Sequence, residues 1–111
     1  MTYVLFVYDR PDSLAMVPED AREAIFREYQ ALSEVPDLAG HRIHPTNAST
    51  TLTVRDDGEE VRPEPVLQGD LQLTGFYLLE TDDPDEARRI AARIPAARLG
   101  GAIEVRPLVS E

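Results

Sequence analysis

The sequence predicts a single α+β domain in which two helices cover one face of an antiparallel sheet. Its length of 111 residues is that of one domain. Strand and helix patterns follow one another in the order β-α-β-β-α-β, with one additional hairpin in the middle. Each helical pattern has a single apolar stripe, so each helix buries one side. This order is that of a ferredoxin-like split βαβ fold, and the domain is predicted to span residues 1–111.

The first strand and the first helix are defined by their composition. Residues Thr2 to Tyr8 are nearly all apolar, β-branched or aromatic, which is typical of a central strand that is covered on both faces. Pro18 and the two acidic residues after it start a helix. This helix is predicted to end before Pro36. Its apolar stripe contains Ala21, Ile25, Tyr29 and Leu32.

The segment after the first helix has weaker signals. Residues Asp37 to Gly40 are predicted to form a turn, and Arg42 to His44 a short strand or an extended connection. Residues Thr50 to Arg55 alternate and are rich in β-branched side chains, which predicts a strand.

A hairpin and a loop follow this strand. Asp56-Asp57-Gly58 is a hairpin signal, and it leads to a second strand at Glu59–Arg62. Pro63 and Pro65 cannot donate to a strand ladder, so residues Arg62–Asp70 are predicted to form a loop.

The second half of the domain has the clearest pattern. Residues Leu73 to Leu79 form an apolar strand, and Asp83 and Pro84 are a helix N-cap and a first helical residue. Pro95 ends the helix, and Ala102–Val105 is predicted to be the last strand. The apolar stripe of this helix contains Ala87, Ile90, Ala91 and Ile94.

Composition excludes several kinds of chemistry. The chain contains no cysteine, which excludes disulfides, thiolate metal sites and a cysteine nucleophile. All 11 basic residues are arginine, which excludes a Schiff-base lysine. A formal charge of −10 opposes binding to nucleic acid or to an anionic membrane. A glycine-rich phosphate loop is absent from the sequence, and we expect no cofactor.

We also expect a cytoplasmic protein that forms a homodimer. The N-terminal residues lack the basic start and the cleavage site of a signal peptide, and apolar runs are too short to cross a membrane. Two helices cannot cover both faces of the sheet, although the central strands are apolar on both sides. A second copy is therefore predicted to cover the other sheet face.

The chain resembles the YCII-related family, and within it the branch of DGPF-domain proteins. The resemblance extends over nearly the whole sequence and implies a dimeric α+β barrel. The blocks that carry it are Tyr3–Tyr8 (YVLFVY), Thr51–Arg55 (TLTVR) with Asp57-Gly58, Gly75–Thr81 (GFYLLET), Asp85–Ala87 (DEA), Ala91–Pro95 (AARIP) and Ile103–Pro107 (IEVRP).

The motif that names the branch is degenerate in this chain. The residues at the place of Asp-Gly-Pro-Phe are Pro63-Glu64-Pro65-Val66, so that only the proline remains. Some YCII-like proteins are thought to use a His–Asp pair for lyase or dehalogenase chemistry on small ring acids. The resemblance also implies an accessory role, because some relatives are associated with alternative sigma factors.

Three residues are candidates for proton transfer. His41 and His44 are the two histidines of the chain, and either would need a nearby carboxylate to orient it as a general base. Glu64 would replace the lost aspartate one residue along. The alternative for each is a surface loop residue. No spacing in the sequence is typical of a metal site.

Four residues are candidates for ligand binding. Asp9 ends the first strand, where the rim of a pocket is often found. Arg55 and Arg106 end strands and would hold a carboxylate bidentately. Tyr77 would project its hydroxyl into the interior. The alternatives are a turn aspartate, ion pairs such as Arg106 with Glu104, and a core or interface tyrosine.

Two functional hypotheses remain open from the sequence. The first is a small-molecule-binding or catalytically degenerate accessory dimer, and the loss of the DGPF motif favours it. The second is an acid–base lyase, isomerase or dehalogenase-like enzyme that acts on a small carboxylated metabolite. A purely structural dimer with a vestigial pocket is a third alternative.

Overall fold

The structure is a computed structural model that describes residues 1–44 and 46–110. Six strands and two α-helices are described, together with short 3₁₀ turns at Thr46–Ala48 and Pro95–Ala97. The strands and helices in chain order are β1 (Thr2–Asp9), α1 (Glu19–Leu32), β2 (Leu38–Arg42), β3 (Thr51–Arg55), β4 (Gly58–Arg62), β5 (Gln72–Glu80), α2 (Pro84–Arg93) and β6 (Ala102–Pro107).

Four of the strands form one antiparallel sheet in the order β2-β5-β1-β6. β1 and β5 are the central strands, as their apolar sequences predict. This order and the two connecting helices confirm the ferredoxin-like α+β fold. β3 and β4 form a separate two-stranded antiparallel sheet, which corresponds to the additional hairpin of the sequence prediction.

The helices pack on one face of the four-stranded sheet. Alternate residues of β1 point to this face, and they form the core with both helices. Leu5 of β1 and Ile94 at the end of α2 are completely buried. The buried members of the core are Tyr3, Leu5, Val7, Leu32, Leu79, Ala87, Ile90, Ala91, Ile94 and Ala96.

The two helices begin differently. Asp83 caps α2, because its Oδ1 accepts a hydrogen bond from the backbone N–H of Asp85 at 2.9 Å, and Pro84 is the first helical residue. Pro18 precedes α1 and offers no side-chain cap. The start of α1 instead has Glu19 and Asp20, whose charges favour the positive end of the helix dipole. Both starts agree with the sequence prediction.

The turn that was predicted at Asp37 to Gly40 is wrong. β2 already begins at Leu38, and the change of direction is concentrated in Asp37, which has a φ of 62°. Aspartate tolerates this left-handed conformation better than most residues. β2 is an edge strand that takes its conformation from pairing with β5, so its small residues give little local signal.

The second face of the sheet is open in the described chain. The other alternate residues of β1 and β5 lie on it, including Val4, Phe6, Phe76 and Leu78, and three of these four are partly exposed. We call this surface the open sheet face. Among the described residues, neither helix has the length and apolar character needed to cross a membrane.

Candidate functional site

One end of the sheet contains the candidate Asp9. β1 ends there with Asp9, β2 ends with Arg42, and β5 begins opposite Asp9 with Gln72. Antiparallel pairing brings strand ends together that are far apart in sequence. Side chains from three strands and from α1 therefore meet on the helix side of this end.

Asp9 is held in place by Thr74. The register between β1 and β5 shifts after Val7, which leaves Thr74 as an extra residue in a β-bulge. The Thr74 hydroxyl donates a hydrogen bond to Asp9 Oδ2 at 2.5 Å and lies 3.5 Å from the Val7 carbonyl oxygen. Bulges re-aim side chains, and this one aims a neutral donor at the Asp9 carboxylate.

Tyr29 of α1 reaches the same group. Burial raises the pKa of Tyr29 to about 12, and the negative charge of Asp9 and the neighbouring Tyr77 add to the shift. A backbone hydrogen bond from Ala96 and the positive charge of Arg42 act in the opposite direction. Tyr29 is therefore a neutral hydroxyl at physiological pH, within electrostatic reach of one carboxylate and one guanidinium.

Tyr77 completes the group from β5. Its ring lies over Gly40 of β2, because a Cβ added to Gly40 would lie 2.6 Å from Tyr77 Cε1. Burial raises the pKa of Tyr77, and Arg42 opposes this shift. Tyr77 is half-buried, whereas Arg42 is exposed at the mouth of the group. We call Asp9, Tyr29, Arg42, Thr74 and Tyr77 the Tyr29 cluster.

Arg22 provides a second cation on the same side of α1. It precedes Ile25 by three residues and Tyr29 by seven, a spacing that puts all three on one helix face. Its Nε atom is buried, and it has no hydrogen-bond partner among the described residues. A buried N–H donor without an acceptor is costly, so an acceptor supplied by a bound molecule would stabilise this arrangement.

A shallow pocket of about 290 Å³ adjoins the cluster. Gln72, which pairs with Asp9 across the strands, is one of its lining residues. Glu64 also lines it, and the Glu64 carboxylate lies 3.3 Å from Arg62 Nη1. The complete lining is Thr46, Pro63, Glu64, Pro65, Leu67, Gln68, Gly69, Leu71 and Gln72. The degenerate motif therefore lies at a pocket.

Both histidines lie outside the Tyr29 cluster. His41 pairs with Phe76 and stacks on its ring, with 5.0 Å between the ring centroids. Because Phe76 and Tyr77 are adjacent in a strand, His41 points to the open sheet face and Tyr77 to the helix side. His44 follows β2, and both histidines are exposed. In the described residues, no group of three or more acidic, histidine or cysteine side chains is placed to hold a metal ion.

The two arginine candidates form ion pairs elsewhere. Arg55 is on the hairpin, with its Nη2 3.3 Å from Glu60 Oε2. Arg106 donates to Glu104 at 3.1 Å, and its guanidinium lies 5.7 Å from the ring centroid of Phe6 on the open sheet face. These contacts correspond to the structural alternative that was considered for both residues.

The structure thus brings together two of the seven candidates, Asp9 and Tyr77. Three members of the cluster were missed. The sequence places Tyr29 in an apolar stripe, where its hydroxyl is the available signal, since buried tyrosines need a polar partner. The sequence predicts that Arg42 begins a short strand or an extended connection, whereas in the structure it is the last residue of β2. Thr74 had no local signal, because the bulge that aims it depends on the pairing of β1 with β5.

Comparison with solved structures identifies a similar fold. The chain resembles 5-chloro-2-hydroxyhydroquinone dehydrochlorinase (TftG) from Burkholderia phenoliruptrix, in a complex with 2,5-dihydroxybenzoquinone. The TM-score is 0.52 and the identity 20%, over 100% of this chain and 96% of that chain. At this identity the similarity establishes the fold alone.

Comparison with protein families is more specific. Among curated proteins, no sequence gives a significant match. The model of the YCII-related domain matches residues 1–110, which is nearly the full length of the chain. The blocks that carried the resemblance lie within this match. The chain therefore belongs to the YCII-related family.

Proposed function

We propose that the protein binds a small carboxylated or phenolic anion at the Tyr29 cluster. The observation that carries the proposal is the placement of Asp9, Arg42 and Tyr77 on the helix side of the sheet, where Thr74 holds Asp9 at 2.5 Å and the Tyr77 ring lies over Gly40. Burial raises the pKa of Tyr29 and of Tyr77, which keeps both hydroxyls neutral. Tyr29 and Tyr77 donate hydrogen bonds to the ligand, and the Arg42 guanidinium neutralises its charge.

The structural neighbour suggests the first probes. TftG binds 2,5-dihydroxybenzoquinone, a compact ring with acidic oxygens. This compound and simple hydroxybenzoates are therefore suitable first probes.

A thermal-shift titration with these probes tests the proposal. A ligand at 100 times its dissociation constant stabilises the folded state by about 2.7 kcal/mol. We expect Arg42→Gln and Tyr29→Phe to remove most of the shift. The matched control is Arg55→Gln, because Arg55 is exposed and pairs with Glu60 on the hairpin. A panel that leaves the melting temperature of the wild-type protein unchanged contradicts the proposal.

The second candidate function is acid–base elimination of the kind that the name of TftG describes. Asp9, oriented by Thr74, is a candidate base in this case, with Tyr29 beside it. The raised pKa of Tyr29 makes it a weak acid at neutral pH, because efficient general acids have pKa values near the working pH. This favours binding over catalysis. The sequence candidates His41, His44 and Glu64 would need to approach the ligand from outside the cluster.

Chloride release separates the two functions. The protein is incubated with 5-chloro-2-hydroxyhydroquinone, and chloride is measured by ion chromatography. Turnover that Asp9→Asn abolishes supports the enzyme. Binding without chloride release supports the first function.

The working form of the protein is proposed to be a cytoplasmic homodimer. The open sheet face, with Phe6, Phe76 and Leu78 partly exposed, supports a second copy as its cover. Association with another protein, such as a sigma factor, remains a proposal that rests on the family resemblance.

A further inference from the structure

The β3–β4 hairpin exposes an apolar face. Leu52 and Val61 are directly opposite each other, and Val54 lies two residues along on the same side. Their exposed fractions are 55% for Leu52, 60% for Val61 and 69% for Val54. We call these three residues the apolar arm face. A hairpin normally turns such a face toward a core, because isolated two-stranded hairpins are marginally stable.

The polar face of the hairpin is the side with described contacts. Glu60 forms ion pairs on both sides, with its carboxylate 3.3 Å from Arg55 Nη2 and 3.8 Å from Arg62 Nε. Thr51 is buried, and its hydroxyl donates to the Glu64 carbonyl oxygen at 2.5 Å. The polar side thus carries the described contacts within the hairpin and to the loop after it, and the apolar side is exposed.

The molecule is extended for its length. The radius of gyration is 16.2 Å and the principal extents are 51 × 41 × 18 Å. A compact domain of this length has a radius of about 13 Å. A flat molecule with an outward apolar arm is the expected shape of a subunit whose arm packs on a neighbour.

The uncovered apolar surfaces point to the neighbour. The open sheet face carries Phe6, Phe76 and Leu78, each partly exposed, and the apolar arm face is a second uncovered apolar surface on the same chain. Stable interfaces bury about 800 Å² on each partner, and a homodimer that covers both surfaces buries more area than one through the sheet faces alone.

We infer that the apolar arm face packs on a second copy of this chain, at the β2 margin of its open sheet face. The β2 margin carries Ala39 beside Leu78 and His41 stacked on Phe76, whereas the β6 margin carries the charged pair Glu104 and Arg106. The apolar arm therefore fits the β2 margin better. The inference rests on the homodimer proposed above, and a two-fold axis makes both arms reach across.

Sedimentation velocity over a concentration series tests the inference. The arm variant is Leu52→Ser with Val61→Ser, and the control is Met16→Ser, since Met16 is 85% exposed in the loop after β1. We expect the arm variant to raise the dimer dissociation constant at least tenfold, while the control leaves it unchanged. A wild-type protein that is monomeric throughout contradicts the homodimer itself. A dimer that the arm variant does not weaken overturns the arm contact alone.

Photo-cross-linking identifies the surface under the arm without weakening it. Because the chain has no cysteine, Val54→Cys gives one site for a benzophenone maleimide. Protein of natural isotope abundance that carries the benzophenone is mixed with ¹⁵N-enriched protein that carries none, and the mixture is illuminated. Cross-links from the arm to ¹⁵N peptides of β2 or β5 support the inference. Cross-links confined to peptides of natural abundance mean that the arm folds back on its own chain, and they overturn it.

Discussion

Tyr29 connects the packing of α1 with the electrostatics of the sheet. Its ring belongs to the apolar stripe that faces the core, yet its hydroxyl is within reach of the Asp9 charge. Burial and this charge disfavour the phenolate, so the folded pKa of Tyr29 is about 12. The usual value in an unfolded chain is about 10. The folded protein thus retains a proton that the unfolded chain releases.

This shift predicts a loss of stability at high pH. A raised folded pKa contributes stability that is complete below the unfolded pKa and is lost as pH rises through the folded value. The free energy of unfolding should therefore fall between about pH 10 and pH 12. Urea unfolding of wild type and Tyr29→Phe across this range, followed by circular dichroism, measures the effect. We expect a shallower decline in the variant, and equal declines would contradict the assignment.

At the scale of the elements, Gly75 allows β2 to pair closely with β5. A Cβ at Gly75 would lie 2.6 Å from the His41 carbonyl oxygen, which is backbone that cannot move without separating the strands. We expect Gly75→Ala to cost about 1–3 kcal/mol of stability, as overpacking usually does. Chemical denaturation measures this cost. Gly69→Ala is the matched control, because nothing lies within 4 Å of its added Cβ. Equal stability of the two variants would show that the strands yield easily.

The cap of α2 makes a second prediction at this scale. Asp83 satisfies the backbone N–H of Asp85, and loss of such a cap usually costs about 1 kcal/mol. Asp83→Ala should lower the free energy of unfolding by this amount. Asp83→Ser should recover most of it, since serine caps nearly as well as aspartate. A serine variant as unstable as the alanine variant would assign the effect to the nearby Arg89, 3.4 Å away, and not to the cap.

The elements were predictable where local chemistry defines them. α2 has a cap, a first-turn proline and a regular stripe, and its bounds follow from these signals. β2 is different, because its Ala39-Gly40 centre has neither strand propensity nor alternation, and pairing with β5 decides its conformation. The same is true of the site. The strand positions of Asp9 and Tyr77 make them predictable as candidates, but their proximity to Tyr29 and Thr74 depends on packing and on a bulge.

At the scale of the whole molecule, two apolar surfaces and a strong negative charge act against each other. The open sheet face and the apolar arm face favour association, because burial of apolar surface is favourable. Two copies that each carry a formal charge of −10 repel one another. The proposed dimer should therefore be held by apolar contact and limited by charge. The direction in which the dimer dissociation constant changes with ionic strength shows whether charge opposes association.

Salt should strengthen the proposed dimer. The screening length is about 30 Å at 0.01 M salt and about 8 Å at 0.15 M, and the thickness of the chain is 18 Å. Repulsion between two copies therefore extends through the whole dimer at low salt and is largely screened at 0.15 M. We expect the dissociation constant, measured by sedimentation velocity, to fall several-fold over this range. Sucrose at equal osmolality is the control for solvent exclusion. A dissociation constant that rises with salt would mean that ion pairs hold the interface, and the apolar account of the dimer would then be wrong.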